Sequence, residues 1–318
     1  MSIIPASNCD WNTENKSDLI GIGTHKLWLS AHGVIRQEGD PLVIILPGLA
    51  SSTTGWAAVR RDLSTFVRVL QYERSGYGAS DASLLKPTAM NIAYELDLLL
   101  KYANIDPPFV IVAHSWGGII SREFLALRTD DIHGMIFVDA NQERTLEVLD
   151  WRKLAMSDVL AGVNANEATG LLQSHHLTSE EWAIYQNEEN SEKHQKQATL
   201  EFAEYPHTFS PLATKRQLCR SLPLLGSRPL CVIKGDSKSD FEKLLRAGLA
   251  HGNGNEASIA AFRETLDSWD EKDQSLQLET QTLSSVSKYV EIRGSGHNVH
   301  LTSPHAIVDG VRWVLEHS

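Results

Sequence analysis

Short apolar runs recur along the chain, and the stretches between them follow a helical period. The run Phe109 to Ala113 is typical, because consecutive apolar residues fit a strand that is buried on both faces. Residues 89 to 103 place Ile92, Leu96 and Leu99 on one face, as an amphipathic helix does. The pattern predicts these strands: Leu42 to Leu46, Val67 to Tyr72, Phe109 to Ala113, Gly134 to Val138, Pro229 to Lys234 and Tyr289 to Arg293. Strands that alternate with helices indicate an α/β fold with a mostly parallel, twisted sheet covered by helices on both faces.

The alternation is interrupted after the fourth predicted strand. Residues 141–225 contain no clear strand signal and are polar, with a helical tendency and several aromatic residues. We interpret this segment as a helical lid inserted into an α/β core made of residues 1–140 and 226–318. A second irregular stretch is expected from Gly235 to about Gly254, and a helix from Ala257 to Trp269.

Composition narrows the class of protein. The chain has 318 residues, of which 42% are apolar, enough for a large core. Its formal net charge of −11 opposes binding to nucleic acid or to an anionic membrane surface. Residues 1–23 have no apolar segment of signal-peptide length, and no later stretch has the length of a membrane span, so we expect a cytoplasmic protein whose partner is a small-molecule substrate. Cys9, Cys219 and Cys231 are expected to be free thiols.

The end of the third predicted strand carries the strongest chemical signal. Ser115 directly follows an apolar run and precedes a segment with helical character. Its neighbours Ala113 and Gly117 are small, as a tight turn between a strand and a helix requires. This pattern is typical of a nucleophilic serine exposed at the edge of a sheet, although an ordinary buried strand with a chance serine has similar letters.

A serine nucleophile needs a base and a means of stabilising the oxyanion that its attack creates. His297 lies on a glycine-rich loop just after the last predicted strand, and we prefer it as the base over His300 and His305, which lie closer to the final helix. The oxyanion hole is predicted to be formed by the backbone amides of Trp116 and of Leu49, which follows the flexible Gly48. The sequence has no dinucleotide or phosphate-binding fingerprint and no HExxH spacing, so we expect no cofactor and no metal.

Four blocks in this order resemble the α/β-hydrolase fold family over almost the whole chain. They are Pro47-Gly48-Leu49, Glu73 to Ser80, Ala113 to Gly117 and Gly294 to His297. Two positions depart from the family pattern, because Pro47 replaces a frequent histidine and Glu73 a frequent aspartate. The resemblance implies an α/β-hydrolase fold and a triad in the order serine, acid, histidine.

The acid of the triad is left open by the sequence. In most of the family an aspartate lies at the place that Lys238 occupies here, and Asp236 and Asp240 are near that place but out of register. Some members, among them zearalenone lactonases, take the acid from the end of the preceding strand, where this chain has Asp139. We prefer Asp139, with Asp236 as the main alternative and Asp240 as a further one.

The function we expect is that of a serine hydrolase acting on an ester, lactone or thioester of a moderately apolar small molecule. The same triad also serves acyl transfer, cyclisation, lyase reactions and the hydrolysis of carbon–carbon bonds, so a biosynthetic enzyme of secondary metabolism is a second hypothesis. A ligand-binding receptor that keeps the fold without turnover is a third. Aromatic residues of the lid, such as Trp151, Trp182 and Tyr185, are candidates for lining the substrate pocket together with Trp116.

Overall fold

The structure, a computed structural model, describes residues 10–318 and contains one eight-stranded sheet. Cys9 and the first part of the predicted core segment lie outside the described residues. Cys219 and Cys231 are free thiols, as expected. The strands are β1 (Lys16–Gly21), β2 (Lys26–Gly33), β3 (Leu42–Leu46), β4 (Arg68–Tyr72), β5 (Phe109–His114), β6 (Ile132–Val138), β7 (Leu230–Lys234) and β8 (Ser287–Glu291).

Helices connect and cover these strands. They are α1 (Ala57–Leu63), α2 (Ala89–Tyr102), α3 (Gly117–Leu127), α4 (Thr145–Val148), α5 (Leu154–Val159), α6 (Ala165–Ala168), α7 (Leu171–Ser174), α8 (Ser179–Glu189), α9 (Glu192–Glu204), α10 (Phe209–Thr214), α11 (Ser237–Ala250), α12 (Glu256–Asp267), α13 (Trp269–Thr280), α14 (Val299–Thr302) and α15 (Pro304–Glu316).

The sheet has the order β1-β2-β4-β3-β5-β6-β7-β8. The six strands from β4 to β8 run parallel, whereas β1 and β2 form an antiparallel edge. His114 pairs with Val138, and Val138 pairs with Ile233, so β5, β6 and β7 end side by side. Residues that directly follow these three strands therefore meet at one edge of the sheet.

Two apolar cores sandwich the sheet, because successive strand residues point to opposite faces. On β3, Ile44 packs into a core with α2 and α3, while Val43 packs into a core with α1 and α15. Helix α2 begins at Ala89 because the Thr88 side chain accepts a hydrogen bond from the Asn91 amide. Helices on both faces of a mostly parallel sheet confirm the predicted α/β-hydrolase fold.

Residues 141–225 are largely helical, and they do not cover the carboxyl edge of the strands alone. The stretch from Gly235 to Gly254, expected to be irregular, forms α11, so that prediction was wrong. Asp236 caps this helix, and apolar residues on one side of it pack into a third core with α5, α12 and α13. The cap over the carboxyl edge of the strands is thus built from two segments, 141–225 and 237–280.

Two further predictions are corrected at the edges of the sheet. The hairpin of β1 and β2 was missed, since much of β1 is exposed and polar and shows no apolar run. Strand β8 starts at Ser287 and not at Tyr289, because it is an edge strand whose side chains are half-buried. Among residues 10–318, no helix is long and apolar enough to cross a membrane.

Candidate active site

Ser115 occupies the turn between β5 and α3. Its φ of +53° lies in the left-handed region that residues other than glycine rarely adopt. The Ser115 amide donates to the Val138 carbonyl at 3.1 Å, and its carbonyl accepts from the Asn141 amide at 2.8 Å. Gly117 is required nearby, since a Cβ there would lie 2.3 Å from the Leu46 carbonyl oxygen. This strained and firmly held turn has the geometry of a nucleophile elbow.

His297 lies on the loop between β8 and α14, next to the end of β6. Its Nδ1 is 2.6 Å from Oδ2 of Asp139, the residue that directly follows β6. The Ser237 hydroxyl donates to the same Oδ2 at 2.5 Å, and the Gly235 amide donates to Oδ1 at 2.9 Å. Three donors therefore fix the buried carboxylate of Asp139 in position.

Opposite pKa shifts follow from this pair. Burial raises the pKa of Asp139, but the hydrogen bond and charge of His297, together with the hydrogen bonds from Ser237 and Gly235, leave that pKa below its ordinary value. Burial lowers the pKa of His297, but the hydrogen bond and charge of Asp139, together with the charges of Asp240 and Asp273, raise that pKa above its ordinary value. Asp139 accepts the Nδ1 proton, which leaves Nε2 of His297 available to take a proton.

The other two candidate acids accept hydrogen bonds from backbone amides and not from the His297 ring. Asp236 accepts hydrogen bonds from the amides of Ser239 and Gly294, both at 3.3 Å, so it caps α11 and fastens the loop after β8. Asp240 accepts from the backbone amide of His297 at 2.9 Å. Among the three aspartates weighed from the sequence, Asp139 is the one that the fold brings to the imidazole.

Ser115 and His297 line one cavity of about 310 Å³ beneath the cap. Within residues 10–318, no hydrogen bond joins the Ser115 hydroxyl to His297. Such contacts between a nucleophile and its base are often loose in ligand-free enzymes and tighten in complexes with substrate.

Two backbone amides beside Ser115 have the properties of oxyanion donors. Within residues 10–318, neither the Leu49 amide nor the Trp116 amide donates to another protein atom. Leu49 lines the cavity, and Trp116 precedes the first turn of α3, where the helix dipole favours negative charge. The Trp116 indole is not part of the cavity wall and donates instead to the Thr208 hydroxyl at 3.1 Å.

A buried ion pair holds the loop that carries the Leu49 amide. Arg74 donates to the carbonyl of Pro47 at 3.1 Å and to that of Gly48 at 2.9 Å. The same guanidinium makes a bidentate pair with Glu201 of α9, at 2.8 and 2.9 Å. Glu201 in turn accepts from the Ala50 amide at 2.9 Å. The cap helix α9 is therefore tied to the predicted oxyanion loop through one fully buried pair.

Two further histidines at this edge, His114 and His300, pack against each other with ring centroids 4.7 Å apart. His114 Nε2 donates to the His297 carbonyl at 2.9 Å, and His300 stacks on Trp56 with ring centroids 4.6 Å apart. Burial, and to a smaller extent His297, lowers the pKa of His300 to about 3, and burial also lowers that of His114 well below its ordinary value. These rings pack behind the His297 loop, and His305 is exposed on α15.

The cavity wall is mostly apolar and comes from both segments of the cap. Trp151 lines it as predicted, whereas Trp182 stacks on His175 at 3.9 Å and Tyr185 packs near Gly55, both away from the cavity. The sequence analysis missed the contribution of α11 and α13. One signal was available, because Trp269, Asp273 and Gln277 are spaced four residues apart and share a helix face. The missed lining residues are Phe241, Leu244, Trp269, Asp273, Leu276 and Gln277.

Comparison with known proteins places this arrangement in a family. Residues 43–310 match the model of the alpha/beta hydrolase family. A protein of Gibberella zeae named AB hydrolase superfamily protein is 32% identical over 302 residues, covering 92% of this chain and 91% of the relative. The chain belongs to the alpha/beta hydrolase family. The resemblance predicted from four sequence blocks, and with it an enzyme of the α/β-hydrolase class, is confirmed.

Solved structures of other alpha/beta hydrolases share the fold. The 2-hydroxy-6-oxo-6-phenylhexa-2,4-dienoate hydrolase of a Rhodococcus species has a TM-score of 0.62 and 13% identity, covering 95% of this chain and 99% of that chain. The enol-lactonase of Burkholderia xenovorans has a TM-score of 0.58 and 16% identity, covering 94% of this chain and all of that chain. At these identities the likeness concerns the fold.

Proposed function

We propose that this alpha/beta hydrolase cleaves an ester, lactone or thioester of a moderately apolar small molecule through an acyl-enzyme on Ser115. The observation that carries the proposal is the 2.6 Å hydrogen bond between His297 and Asp139, made beside a cavity that Ser115 also lines. Acyl transfer requires a nucleophile, a base held in a fixed orientation and oxyanion donors without another hydrogen-bond partner, all around one apolar cavity.

In the first half of the reaction, Ser115 Oγ bonds to the carbonyl carbon of the substrate, and His297 Nε2 takes the hydroxyl proton. Asp139 stabilises the imidazolium that forms. The negative charge on the carbonyl oxygen is met by the amides of Leu49 and Trp116. Collapse of this intermediate breaks the bond to the leaving group, which receives the proton from His297, and leaves the acyl group on Ser115.

In the second half, His297 takes a proton from water, whose oxygen attacks the acyl carbon. A second oxyanion forms in the same hole and collapses to release the carboxylic acid and return the proton to Ser115. The mostly apolar wall supports this proposal, since a water-poor cavity strengthens the electrostatic interactions with the oxyanion.

A fluorophosphonate probe tests the proposed nucleophile. We expect the probe to label the protein on Ser115 and to leave Ser115→Ala unlabelled, as read by peptide mass spectrometry. Ser121, which is buried in α3 and donates to the Gly118 carbonyl, provides the control variant Ser121→Ala, which should label normally. A folded sample that does not react, or that reacts at another residue, would refute the proposal.

Product analysis distinguishes hydrolysis from the biosynthetic alternatives. Hydrolysis adds one water to the substrate and releases an acid, whereas acyl transfer or cyclisation passes the acyl group to another nucleophile. Incubation in ¹⁸O-water should place one heavy oxygen in the released acid. Absence of the label in a product formed by the unmodified protein, but not by Ser115→Ala, would favour acyl transfer.

A further inference from the structure

Helix α13 forms a wall of the cavity with a face that is only partly apolar. Asp273 and Gln277 lie one turn apart on this face and both line the cavity, and Gln277 is 3% exposed. Neither residue belongs to the triad or to the predicted oxyanion hole. Burying an unpaired polar atom costs free energy, so each polar atom of a buried side chain is expected to have a hydrogen-bond partner.

The hydrogen bonds of Gln277 fix the orientation of its amide. Nε2 donates to the Ala140 carbonyl at 3.1 Å and to Asp273 Oδ1 at 3.2 Å. Rotating the amide by half a turn would set its oxygen against the Ala140 carbonyl oxygen, which can only accept, so this neighbour determines the assignment of nitrogen and oxygen. Both amide protons are used, and the group left over is an acceptor.

That acceptor, Gln277 Oε1, is buried and has no hydrogen-bond partner among the protein atoms of residues 10–318. A carbonyl oxygen can be satisfied only by a donor. A substrate that brings a hydroxyl to this atom would gain a hydrogen bond, while an analogue without a donor would leave the oxygen buried and unpaired.

The charged residues that line the cavity limit the charge of a substrate that carries this donor. Three aspartates line the cavity, Asp139, Asp240 and Asp273, and no lysine or arginine among the described residues does. A carboxylate on the substrate would therefore meet no lysine or arginine side chain and would lie near these carboxylates. Asp273 Oδ2 also makes no hydrogen bond to the protein atoms of residues 10–318, but it lies 3.5 Å from the buried ammonium of Lys234, which supplies a counter-charge.

We propose that Gln277 Oε1 accepts a hydrogen bond from a hydroxyl group of the substrate, and that the substrates are uncharged, hydroxylated acyl compounds with an apolar body. The apolar part of the wall includes Phe241, Trp269 and Leu276, which would pack against that body. This inference rests on the proposed hydrolase function and adds the substrate class.

The test uses 4-nitrophenyl esters of phenylacetic acid whose ring bears a meta or para hydroxyl, methoxy, aminomethyl or hydrogen substituent. For each ester we would measure kcat/KM and its protection of Ser115 against the fluorophosphonate, a readout that works even where turnover is slow. The variants are Gln277→Met, which keeps the length of the side chain without the acceptor, and Gln274→Met, at an exposed position of the same helix.

We expect one hydroxyl isomer to exceed its methoxy and unsubstituted analogues by at least about tenfold in the unmodified protein and in Gln274→Met. In Gln277→Met this preference should fall to about onefold. No hydroxyl preference in the unmodified protein, a preference that survives in Gln277→Met, or a stronger preference for the ammonium ester would each overturn the inference.

Failure of the inference can be separated from failure of the proposed function. Normal labelling of Ser115 without any hydroxyl preference would reject the substrate class alone. Absence of labelling would reject the hydrolase function first. If Gln277→Met does not fold, equal kcat/KM values for hydroxyl and methoxy esters in the unmodified protein would still overturn the inference.

Discussion

Asp139 at the sheet edge and Asp273 on the cap helix α13 are both buried, yet their environments have opposite effects. Asp139 receives three hydrogen bonds and has a lowered pKa. Burial and the nearby charge of Asp139 raise the pKa of Asp273 to about 7, although Lys234 acts in the other direction. Both oxygens of the Asp139 carboxylate thus have protein donors. On the cap wall, Gln277 Oε1 has no hydrogen-bond partner among the protein atoms of residues 10–318. This contrast suggests that the edge provides the chemistry and the cap selects the substrate.

Among variants of the sheet edge that keep Ser115, Asp139→Asn is expected to lower the catalytic rate the most. An asparagine would direct an N–H at Nδ1 of His297 and favour the wrong tautomer, so kcat should fall by about 10⁴-fold. The measurement is hydrolysis of a 4-nitrophenyl ester at a pH where His297 is neutral.

Asp236→Asn is the matched control for this experiment. Asparagine caps a helix about as well as aspartate does, so this variant should stay within a few fold of the unmodified protein. Normal turnover in Asp139→Asn, or a comparable loss in Asp236→Asn, would show that the acid was misassigned and would remove the contrast between the two regions.

The sequence was sufficient to predict the candidate site residues that directly follow strands. Ser115 was predicted because an apolar run, small neighbours and a following helix occur together, and the elbow geometry agrees with that prediction. His297 was predicted from its glycine loop. The preference for Asp139 over Asp236 needed tertiary information to evaluate, since it depends on β6 and β7 ending side by side and on donors from Gly235 and Ser237.

The cap was less predictable for a physical reason. Helix α11 is half-buried, and the glycines that precede and follow it gave its segment the appearance of a loop. Its role depends on packing with α5 and α12, which are distant in sequence from one another. The sequence also did not determine which aromatic residues face the cavity. Of the lid candidates Trp151, Trp182 and Tyr185, only Trp151 lines it.

The buried ion pair of Arg74 and Glu201, which joins the cap to the sheet edge, can be broken by substituting Glu201. Glu201→Gln leaves the buried guanidinium of Arg74 without a counter-charge, which should lower the free energy of unfolding by about 3–5 kcal/mol. Loosening of the Pro47–Ala50 loop should also misplace the Leu49 amide and lower kcat on the order of 10²-fold. Chemical denaturation and ester hydrolysis measure the two effects.

Glu204→Gln is the control for this pair, because Glu204 lies on the same helix and pairs with the exposed Lys86 at 2.8 Å. An exposed pair contributes about 0–1 kcal/mol, so stability and kcat should change little. If Glu201→Gln loses stability but keeps its kcat, the cap stabilises the fold without positioning the oxyanion loop.

The smallest expected effect concerns the pH dependence of His297. The negative charge of Asp240 contributes to raising the pKa of His297, after the larger contribution of Asp139. Because the neutral imidazole is the active base, the acid limb of kcat/KM follows this pKa. Asp240→Asn removes the charge, so the limb should move to lower pH while the rate on the alkaline side stays nearly unchanged.

This shift should be smaller than the one caused by Asp139→Asn, because Asp139 makes the larger contribution to the pKa of His297. Asparagine at position 240 can still accept the hydrogen bond from the His297 amide, so the loop keeps its position. Asp236→Asn should leave the limb in place, since the Asp236 carboxylate acts on backbone amides of the α11 start and the β8 loop. A limb that moves toward alkaline pH in Asp240→Asn would contradict the assignment of His297 as the base.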